Sequence, residues 1–279
     1  MKSNRTLWVT VSLVALAVLA VIALIVANIT RGGNNGANTS NSDVAAPESD
    51  TNTPENGEKG KEPAGDGAVS TDMRGNTVHD YGDVGKPLTN EQREVDELCS
   101  PEEQQRSPEG LEIQRANGVM TVWSQSDGPT TNSDANTPER YAHTPAGAAL
   151  AAANIMQITG AGGDAAMYVL KNNQYWSPEN REAADNLLGK MDERGIDRPE
   201  DIDIVPVPDA HRVISCSEEQ VVVEVAQPIG IEDDDTVWSR MRFPMVWKDG
   251  DWKLNGDDQN DPDKGIEEKL DGTWIKWDL

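Results

Sequence analysis

Residues 144–160 read TPAGAALAAANIMQITG, and this stretch decides the fold. Thr144 is a good N-cap, Pro145 suits the first position of a helix, and Gly160 suits the end of one, so a helix is predicted between them. The side chains along it are mostly small and apolar, which lets other elements approach the helix closely. We expect this helix to lie at the centre of the domain, inside a strongly curved sheet.

Two further helices are predicted after the alanine-rich one. The first covers residues 164–171. The second has Ser177 as its cap, Pro178 and Glu179 in its first turn, and Gly195 as its end. Apolar residues at helical spacing form one stripe along this second helix, so one of its faces should pack on the domain.

After residue 209 the apolar pattern changes from a period of 3.6 to a period of 2, which indicates strands. Strands are predicted over residues 210–216, 221–227 and 236–247, and upstream over residues 119–123. Lys248-Asp249-Gly250-Asp251 is typical of a tight hairpin turn. Helices followed by antiparallel strands indicate an α+β fold: three helices packed on a curved antiparallel sheet in a cone-shaped domain.

An apolar run of 23 residues, residues 7–29, contains no charge. At about 1.5 Å per residue it is long enough to cross a hydrocarbon core of roughly 30 Å, so we predict a single transmembrane helix. Lys2 and Arg5 precede it, which predicts a cytoplasmic N-terminus and an extracellular C-terminal domain at the cell membrane. A cleaved signal peptide is the alternative, although its apolar region is normally shorter.

The composition divides the chain into four parts. They are a cytoplasmic tail (1–6), the transmembrane helix (7–29), a flexible, disordered acidic linker (30–110) and an extracytoplasmic domain (111–279). Its first part, residues 30 to about 75, is dominated by Gly, Asn, Ser, Thr, Pro, Asp and Glu, with little that could be buried, and the residues after it are intermediate in composition. A short helix is predicted inside it near residues 90–99, with Thr89 or Asn90 as its cap.

The net charge of −25 limits what the chain can bind. A protein binds phosphate backbones through lysine and arginine, so direct binding to nucleic acid is not expected. The same excess of acid disfavours contact between the domain and anionic lipid headgroups. The membrane is therefore expected as a partner only through residues 7–29.

The two cysteines, Cys99 and Cys216, should lie outside the membrane, where thiols tend to be oxidised. A disulfide between them would join the end of the linker to the folded domain and restrict the unfolded chain. Two unpaired, buried thiols are the alternative.

The sequence contains no serine nucleophile elbow, Ser-x-x-Lys, Walker loop or His-Glu-x-x-His motif. His143, just before a helix cap, is the best candidate for a titrating residue, but such a histidine more often makes a local hydrogen bond. The acidic runs at 233–235 and 257–263 do not have the spacing of an EF-hand loop. We therefore predict a protein that is not an enzyme, with no catalytic, cofactor-binding or metal-binding residue.

Tryptophan is unusually frequent: the chain has eight Trp and one Phe. Most of them should belong to the core of the sheet. Tryptophan is also enriched at protein interfaces, and we take Trp238, Trp274 and Trp277 as the candidates for contact with a partner.

Two parts of the sequence, and the overall plan of the chain, resemble known families. Gly128-Pro129 together with residues 141–154 (YAHTPAGAALAAAN) resembles membrane proteins of actinobacterial conjugative plasmids and integrative elements. Residues 246–254 (VWKDGDWKL) are similar to the sheet hairpin of nuclear-transport-factor-2-like domains. The plan of short tail, single span, linker and outer domain resembles the bitopic scaffold subunit of type IV secretion systems.

These resemblances imply a scaffold or assembly component of a conjugation or type IV secretion-like apparatus. The expected partners are inner-membrane and extracytoplasmic protein subunits of that apparatus, together with self-association. An extracytoplasmic lipid- or solute-binding accessory protein of a membrane transporter is the alternative. The families offer no catalytic residues to assign to this chain.

Overall fold

The computed structural model describes residues 67–198, 205–232, 235–258 and 264–279. The transmembrane helix predicted over residues 7–29 and the linker as far as residue 66 lie outside the described residues. None of the helices in the described ranges has the length and apolar character needed to cross a membrane.

The first four strands form a small sheet at the start of the described chain. They are β1 (Ala68–Thr71), β2 (Thr77–Asp80), β3 (Leu111–Ala116) and β4 (Val119–Ser124). Their order in the sheet follows the chain, and only the β2–β3 pair is parallel. A 3-10 helix (Glu103–Gln105) lies in the connection from β2 to β3, and a two-stranded ribbon, β5 (Thr131–Asn132) with β6 (Pro138–Glu139), follows β4.

Three α-helices follow within the described residues: α1 (Pro145–Ala161), α2 (Gly163–Asn172) and α3 (Pro178–Arg194). The helix predicted from residue 144 is confirmed, because the Thr144 side chain accepts a hydrogen bond from the Gly147 amide and Pro145 opens the helix. Gly195, at φ 70°, ends α3 as predicted, since a backbone with positive φ favours glycine.

The remaining strands build a large sheet of seven strands. They are β7 (Gln174–Tyr175), β8 (Ala210–Cys216), β9 (Gln220–Glu232), β10 (Asp235–Lys248), β11 (Asp251–Asn255), β12 (Lys264–Glu267) and β13 (Ile275–Lys276). The order is β13-β8-β9-β10-β11-β7, with β12 also paired to β10, and only β11–β7 is parallel. A 3-10 helix (Gly256–Asp258) follows β11. The predicted α+β class is confirmed.

Helix α1 lies between the two sheets, where it contacts β4 on one side and β9 on the other. It is buried on nearly all sides: 15 of its 17 residues are buried. Alternate residues of β10 point into the core, as predicted: Met241, Phe243 and Met245 lie on one face of the strand and are all buried. The small side chains of α1 are what let two sheets cover a single helix.

Two buried amide side chains of α1 join the helix to both sheets. Asn154 Nδ2 donates to Val122 O at 2.8 Å, and Val122 N donates to Asn154 Oδ1 at 2.8 Å, so the side chain pairs with β4 as a neighbouring strand would. Gln157 Nε2 donates to Met120 O at 3.3 Å, and Gln157 Oε1 accepts from Gln227 Nε2 of β9 at 3.0 Å.

Residues 67–110, which the sequence analysis assigns to the disordered linker, belong to the folded domain. They contain β1 and β2, and Val78, Tyr81, Val84 and Leu98 are buried. These apolar residues are few and far apart in the sequence, so they show no periodic pattern. Their burial depends on strands that follow much later in the chain.

The short helix predicted near residues 90–99 does not form, and the backbone there makes bends and turns. Tertiary contacts replace the helix. Gln92 Nε2 donates to Tyr141 O at 2.6 Å and to Gly250 O at 3.2 Å, and Arg93 binds Glu103 with Nη2–Oε2 at 2.7 Å. The contacts of Gln92 and Arg93 with distant parts of the chain therefore outweigh the local preference for a helix that begins at Thr89 or Asn90.

Replacing Gly147 with alanine tests the close packing around α1. A Cβ there would lie 2.2 Å from Ala142 O, a backbone atom that cannot move aside easily. We expect Gly147→Ala to lower the free energy of unfolding by about 2 kcal/mol or more, although alanine has the higher helix propensity. Urea denaturation measures the change.

Gly160→Ala in the same helix is the matched control, because a Cβ added there would have nothing within 4 Å of it. This variant should be neutral or more stable by up to about 1 kcal/mol. Equal effects of the two substitutions would contradict a tightly enclosed α1.

Candidate interaction surface

The face of the large sheet that points away from α1, called the outer face here, carries charged residues in register. Arg212 of β8 stands opposite Glu224 of β9, which in turn stands opposite Arg242 of β10. Glu224 is completely buried, with 0% of its surface exposed. Because alternate residues of a strand point to the same face, a carboxylate and its arginine partners meet across three strands.

Three guanidinium groups surround the Glu224 carboxylate. Arg212 Nε lies 2.6 Å from Oε2, Arg240 Nη1 lies 2.7 Å from Oε1, and Arg242 Nη2 lies 2.8 Å from Oε1. Glu267 of β12 adds a second carboxylate, 3.1 Å from Arg240 Nε. We call these five residues the arginine cluster.

The arginine cluster has three positive and two negative side chains in a chain whose net charge is −25. The Arg242 side chain is 36% exposed, the most open of the three arginines. A buried carboxylate is stable only with such partners, so the cluster holds β8, β9 and β10 together. It also places positive charge on the outer face, where an acidic surface of another protein would find complementary charge.

The C-terminal segment crosses the outer face beside the cluster. Leu270 and Trp274 pack on Ala210 and Ala226, with Trp238 against the same group. The guanidinium carbon of Arg212 lies 4.5 Å from the centre of the Trp274 ring, a cation–π contact. After this crossing, β13 pairs with β8 at the edge of the sheet. Residues 268–274, between β12 and β13, therefore cover part of the outer face, and we call them the strap.

The predicted interface tryptophans occupy two different layers. Trp238 is half-buried on the outer face, and its Nε1 donates to Asp209 Oδ1 at 2.8 Å. Trp274 belongs to the strap and packs its ring on the sheet, with 7% exposed, whereas Trp277 belongs to the main core and is 6% exposed. Both make their contacts within the chain, so Trp238 has the most surface to offer a partner. Their role in an interface stays a prediction.

The predicted disulfide is confirmed: Cys99 and Cys216 are bonded, with their Cα atoms 5.6 Å apart. It joins the connection between β2 and β3 to the end of β8 across a separation of 117 residues. The alternative of two unpaired thiols does not hold. The bond fixes the segment before β3 to the large sheet.

Asp127 is a second buried acid that sequence reasoning missed. It is 0% exposed, and Thr144 Oγ1 donates to its Oδ1 at 2.7 Å while Arg93 Nη2 lies 3.1 Å from the same oxygen. The hydrogen bond from Arg93 lowers the pKa of Glu103 below its usual range. These contacts join the start of α1 to residues 93–103.

A signal for Glu224 is present in the sequence, although sequence reasoning did not use it. Glu224 interrupts an otherwise apolar strand, residues 221–226, which read VVVEVA. An acid in such a position must find a buried partner. The arginines that form ion pairs with Glu224 lie on two other strands, so these pairs depend on the register of the sheet.

The two histidines nearest the core are held by tryptophans. The His143 ring stacks on Trp247 with 4.3 Å between centres, and burial lowers its pKa. His211 is completely buried, and Trp277 Nε1 donates to its Nδ1 at 2.8 Å, which leaves the proton of the neutral ring on Nε2. Burial lowers the pKa of His211 to about 3. Within the described ranges, no group of three His, Cys, Asp or Glu side chains is placed to hold a metal ion.

Replacing Glu224 with glutamine should weaken the large sheet strongly. It removes the one carboxylate that three arginines share, and breaking a buried ion pair by removing one partner costs about 3–5 kcal/mol. Urea denaturation of the Glu224→Gln variant measures this loss.

Glu267→Gln is the matched control, because this acid belongs to the same cluster but its side chain is 28% exposed. Its loss should cost about 1 kcal/mol or less. An effect of Glu224→Gln as small as that of the control would show that the cluster does not hold the sheet.

The stability of the protein should fall in mild acid because of His211. The unfolded histidine takes up a proton below its ordinary pKa of 6.5, whereas the folded one stays neutral down to about 3. The folded state is therefore stabilised above pH 6.5, and that contribution is lost as the pH falls towards 3. The slope from this one group is about 1.4 kcal/mol per pH unit.

Between about pH 7 and about pH 5, the free energy of unfolding should fall less in the His211→Asn variant than in the unchanged protein. Asparagine keeps an acceptor for Trp277 but does not titrate in this range. Burial raises the pKa of Asp251 to about 6, so this group titrates in the same window. It is present in both proteins and cancels in the comparison. Equal pH dependence of the two proteins would contradict a neutral, buried His211.

Comparison with known proteins gives one family. The model described as "Domain of unknown function (DUF8175)" matches residues 79–276, from within β2 to the end of β13. No curated protein and no solved structure matches the chain. Since the family model covers well over half of the sequence, the chain belongs to the DUF8175 family.

Proposed function

We propose that this protein is a non-enzymatic, membrane-anchored scaffold or assembly component of a conjugation or type IV secretion-like apparatus. The observation that carries the proposal is the Cys99–Cys216 disulfide. Structural disulfides are characteristic of proteins outside the cytoplasm. The bond thus agrees with the orientation expected from residues 7–29, with the tail inside and the domain outside.

The buried acidic side chains bind neighbouring parts of the fold, and this supports a scaffold rather than an enzyme. Glu224 joins three strands, and Asp127 binds the start of α1. Asp251 accepts hydrogen bonds from Arg140 N at 2.8 Å and Tyr141 N at 3.0 Å, and so fixes the entry to α1. Each of these acids is engaged by its neighbours in holding the fold.

The surface features suit a protein that binds other subunits. The arginine cluster offers positive charge, and the half-buried Trp238 lies on the same outer face. The resemblance of residues 246–254 to the sheet hairpin of nuclear-transport-factor-2-like domains, and of the plan of the chain to the bitopic scaffold subunit of type IV secretion systems, supports the proposal. Residues 1–29 would contact inner-membrane subunits, and the domain would contact extracytoplasmic ones.

The position of α1 favours a scaffold over a lipid- or solute-binding accessory protein. A carrier of that kind needs space between helices and sheet for its ligand. In this fold the space between the two sheets is taken by α1, which has 15 of 17 residues buried.

Deleting the gene tests the proposed function. In a host that carries the corresponding conjugative or integrative element, transfer of the element should be abolished, while growth stays normal. Transfer should return when the full chain is supplied, but not when the supplied chain lacks residues 7–29, because the scaffold must be anchored.

Unchanged transfer in the deletion strain would contradict the proposal. The accessory-protein alternative predicts a different result: normal transfer with reduced uptake of a lipid or solute.

Protease added to intact cells should digest the domain, and protection of the domain there would contradict the extracytoplasmic location.

A further inference from the structure

We propose that a thiol oxidase, a protein with a reactive disulfide, acts on this chain outside the membrane, engages Cys99 first and thereby fastens residues 94–106 to the domain. These residues, EVDELCSPEEQQR, form the middle of the connection from β2 to β3, and we call them the acidic segment. The inference deepens the proposed function, on which it rests for the location of the domain outside the cytoplasm, and it names a partner by its chemistry.

The acidic segment is bound to itself rather than to the rest of the domain. Arg93 Nη2 holds the Glu103 carboxylate at 2.7 Å, and Gln104 Nε2 donates to Cys99 O at 2.5 Å. Among the described residues, every hydrogen bond and ion pair of the acidic segment ends within residues 93–109. The polar contacts of the segment therefore do little to hold it against the sheets.

The acidic segment has two strong links to the rest of the described domain. Leu98 is the one residue of the segment that is buried, with 8% of its surface exposed, and it packs in the main core. The other link is the disulfide from Cys99 to Cys216 at the end of β8. Docking fixes the whole segment and costs conformational entropy, and the burial of a single leucine offsets little of that cost.

Charge opposes the docking of the acidic segment. The segment has five acids and one base, a net charge of −4, in a chain whose net charge is −25. On the other side of the bond, Cys216 is followed closely by Glu218 and Glu219. Like charges repel, and the repulsion is relieved when the segment moves away from the domain. The covalent bond therefore holds in place a segment that charge and entropy would release.

The ends of the acidic segment stay in place when its middle is released. On one side, Arg93 Nη2 lies 3.1 Å from Asp127 Oδ1, and on the other side, Ser107 Oγ donates to Lys276 O at 3.2 Å. A loop with both ends fixed keeps the two thiols at a high effective concentration relative to each other. Release thus exposes Cys99 without separating it from its partner.

Cys216 remains in a regular strand whether or not the bond is made. It pairs with Val221 of β9 in the register of the large sheet, and its side chain packs on the main core. Thiol–disulfide exchange depends on access to the reacting sulfur, so a fixed, half-buried thiol reaches the disulfide of another protein less readily than a thiol in a released loop. This difference assigns the first step to Cys99.

The exchange proceeds in two steps. The Cys99 thiolate attacks one sulfur of the oxidase disulfide, a mixed disulfide forms, and the second oxidase sulfur leaves as a thiolate. The Cys216 thiolate then attacks the Cys99 sulfur, the Cys99–Cys216 bond forms, and the first oxidase sulfur leaves. Two electrons pass from the cysteines to the oxidase, and the two thiol protons reach the oxidase sulfurs through solvent, so that the oxidase becomes a dithiol.

The reactivity of the two thiols tests the order of the steps. In the reduced full chain in detergent, Cys99 is measured alone in the Cys216→Ser variant and Cys216 alone in the Cys99→Ser variant, each with an aromatic disulfide reagent. Cys99 should react at least about tenfold faster, because access sets the rate. Both variants lack the bond, so each is the matched control of the other. Equal rates, or a faster Cys216, would overturn the inference.

Hydrogen exchange of the unsubstituted full chain before and after reduction tests the release of the segment. Reduction should raise the exchange rates of the protected amides of the acidic segment at least about tenfold and leave those of β9 unchanged. Unchanged exchange in the segment would overturn the inference. Equal loss of protection in β9 would overturn it too, because the bond would then hold the whole domain rather than the segment.

Cells that make the full chain test the partner. In the Cys216→Ser variant, a mixed disulfide between Cys99 and an extracytoplasmic thiol oxidase should accumulate on a non-reducing gel, and mass spectrometry of the linked peptides should identify the oxidase cysteine. A strain without that oxidase should lack the mixed disulfide and should keep the unsubstituted chain in the thiol form. Complete oxidation of the chain in that strain would overturn the partner.

These assays do not depend on transfer of an element. If they fail while the gene deletion still abolishes transfer, the inference is wrong and the proposed function stands. If they succeed while the deletion leaves transfer unchanged, the proposed function is overturned and the oxidation of Cys99 outside the cytoplasm stands.

Discussion

The fold depends on the hydrogen bonds that two amide side chains of α1 make to strands on opposite sides of it. Asn154 pairs with the backbone of Val122 in the small sheet, and Gln157 accepts a hydrogen bond from Gln227 in the large sheet. A helix of small apolar residues can be enclosed on all sides, but apolar contact alone does not specify how it is rotated. A buried amide that must satisfy both its donor and its acceptor has few acceptable positions. These side chains therefore set how the two sheets face one another.

The surface features follow from this arrangement. With α1 on the inner side of the large sheet, every second residue of its strands points to the outer face, where Glu224 gathers its arginines and the strap packs Trp274. With Asn154 closing the edge at β4, β1 is the edge of the small sheet that has no further strand beside it among the described residues. The cluster and this strand edge thus lie on surfaces that the central helix leaves free.

Local signals in the sequence predict the elements that depend on neighbouring residues. Thr144 and Pro145 mark the start of α1, and Asp249-Gly250, at φ 56° and 76°, turns β10 into β11 as predicted. The small sheet is harder to predict because β2 pairs in parallel with β3 from more than thirty residues away in the chain. The same holds for Trp277: its aromatic ring indicates a core or an interface, but its bond to His211 depends on the strap. The arginine cluster needs the register of four strands, which no local pattern contains.

Native-state hydrogen exchange under increasing urea tests the central claim most directly. If α1 binds the two sheets into one unit, the amides of β4 and of β9 should become exchangeable at the same free energy of opening, equal to that of global unfolding. Matching values are the predicted result. Opening of β1–β4 at a clearly lower free energy than β8–β11 would mean that the two sheets unfold separately, and would contradict the account.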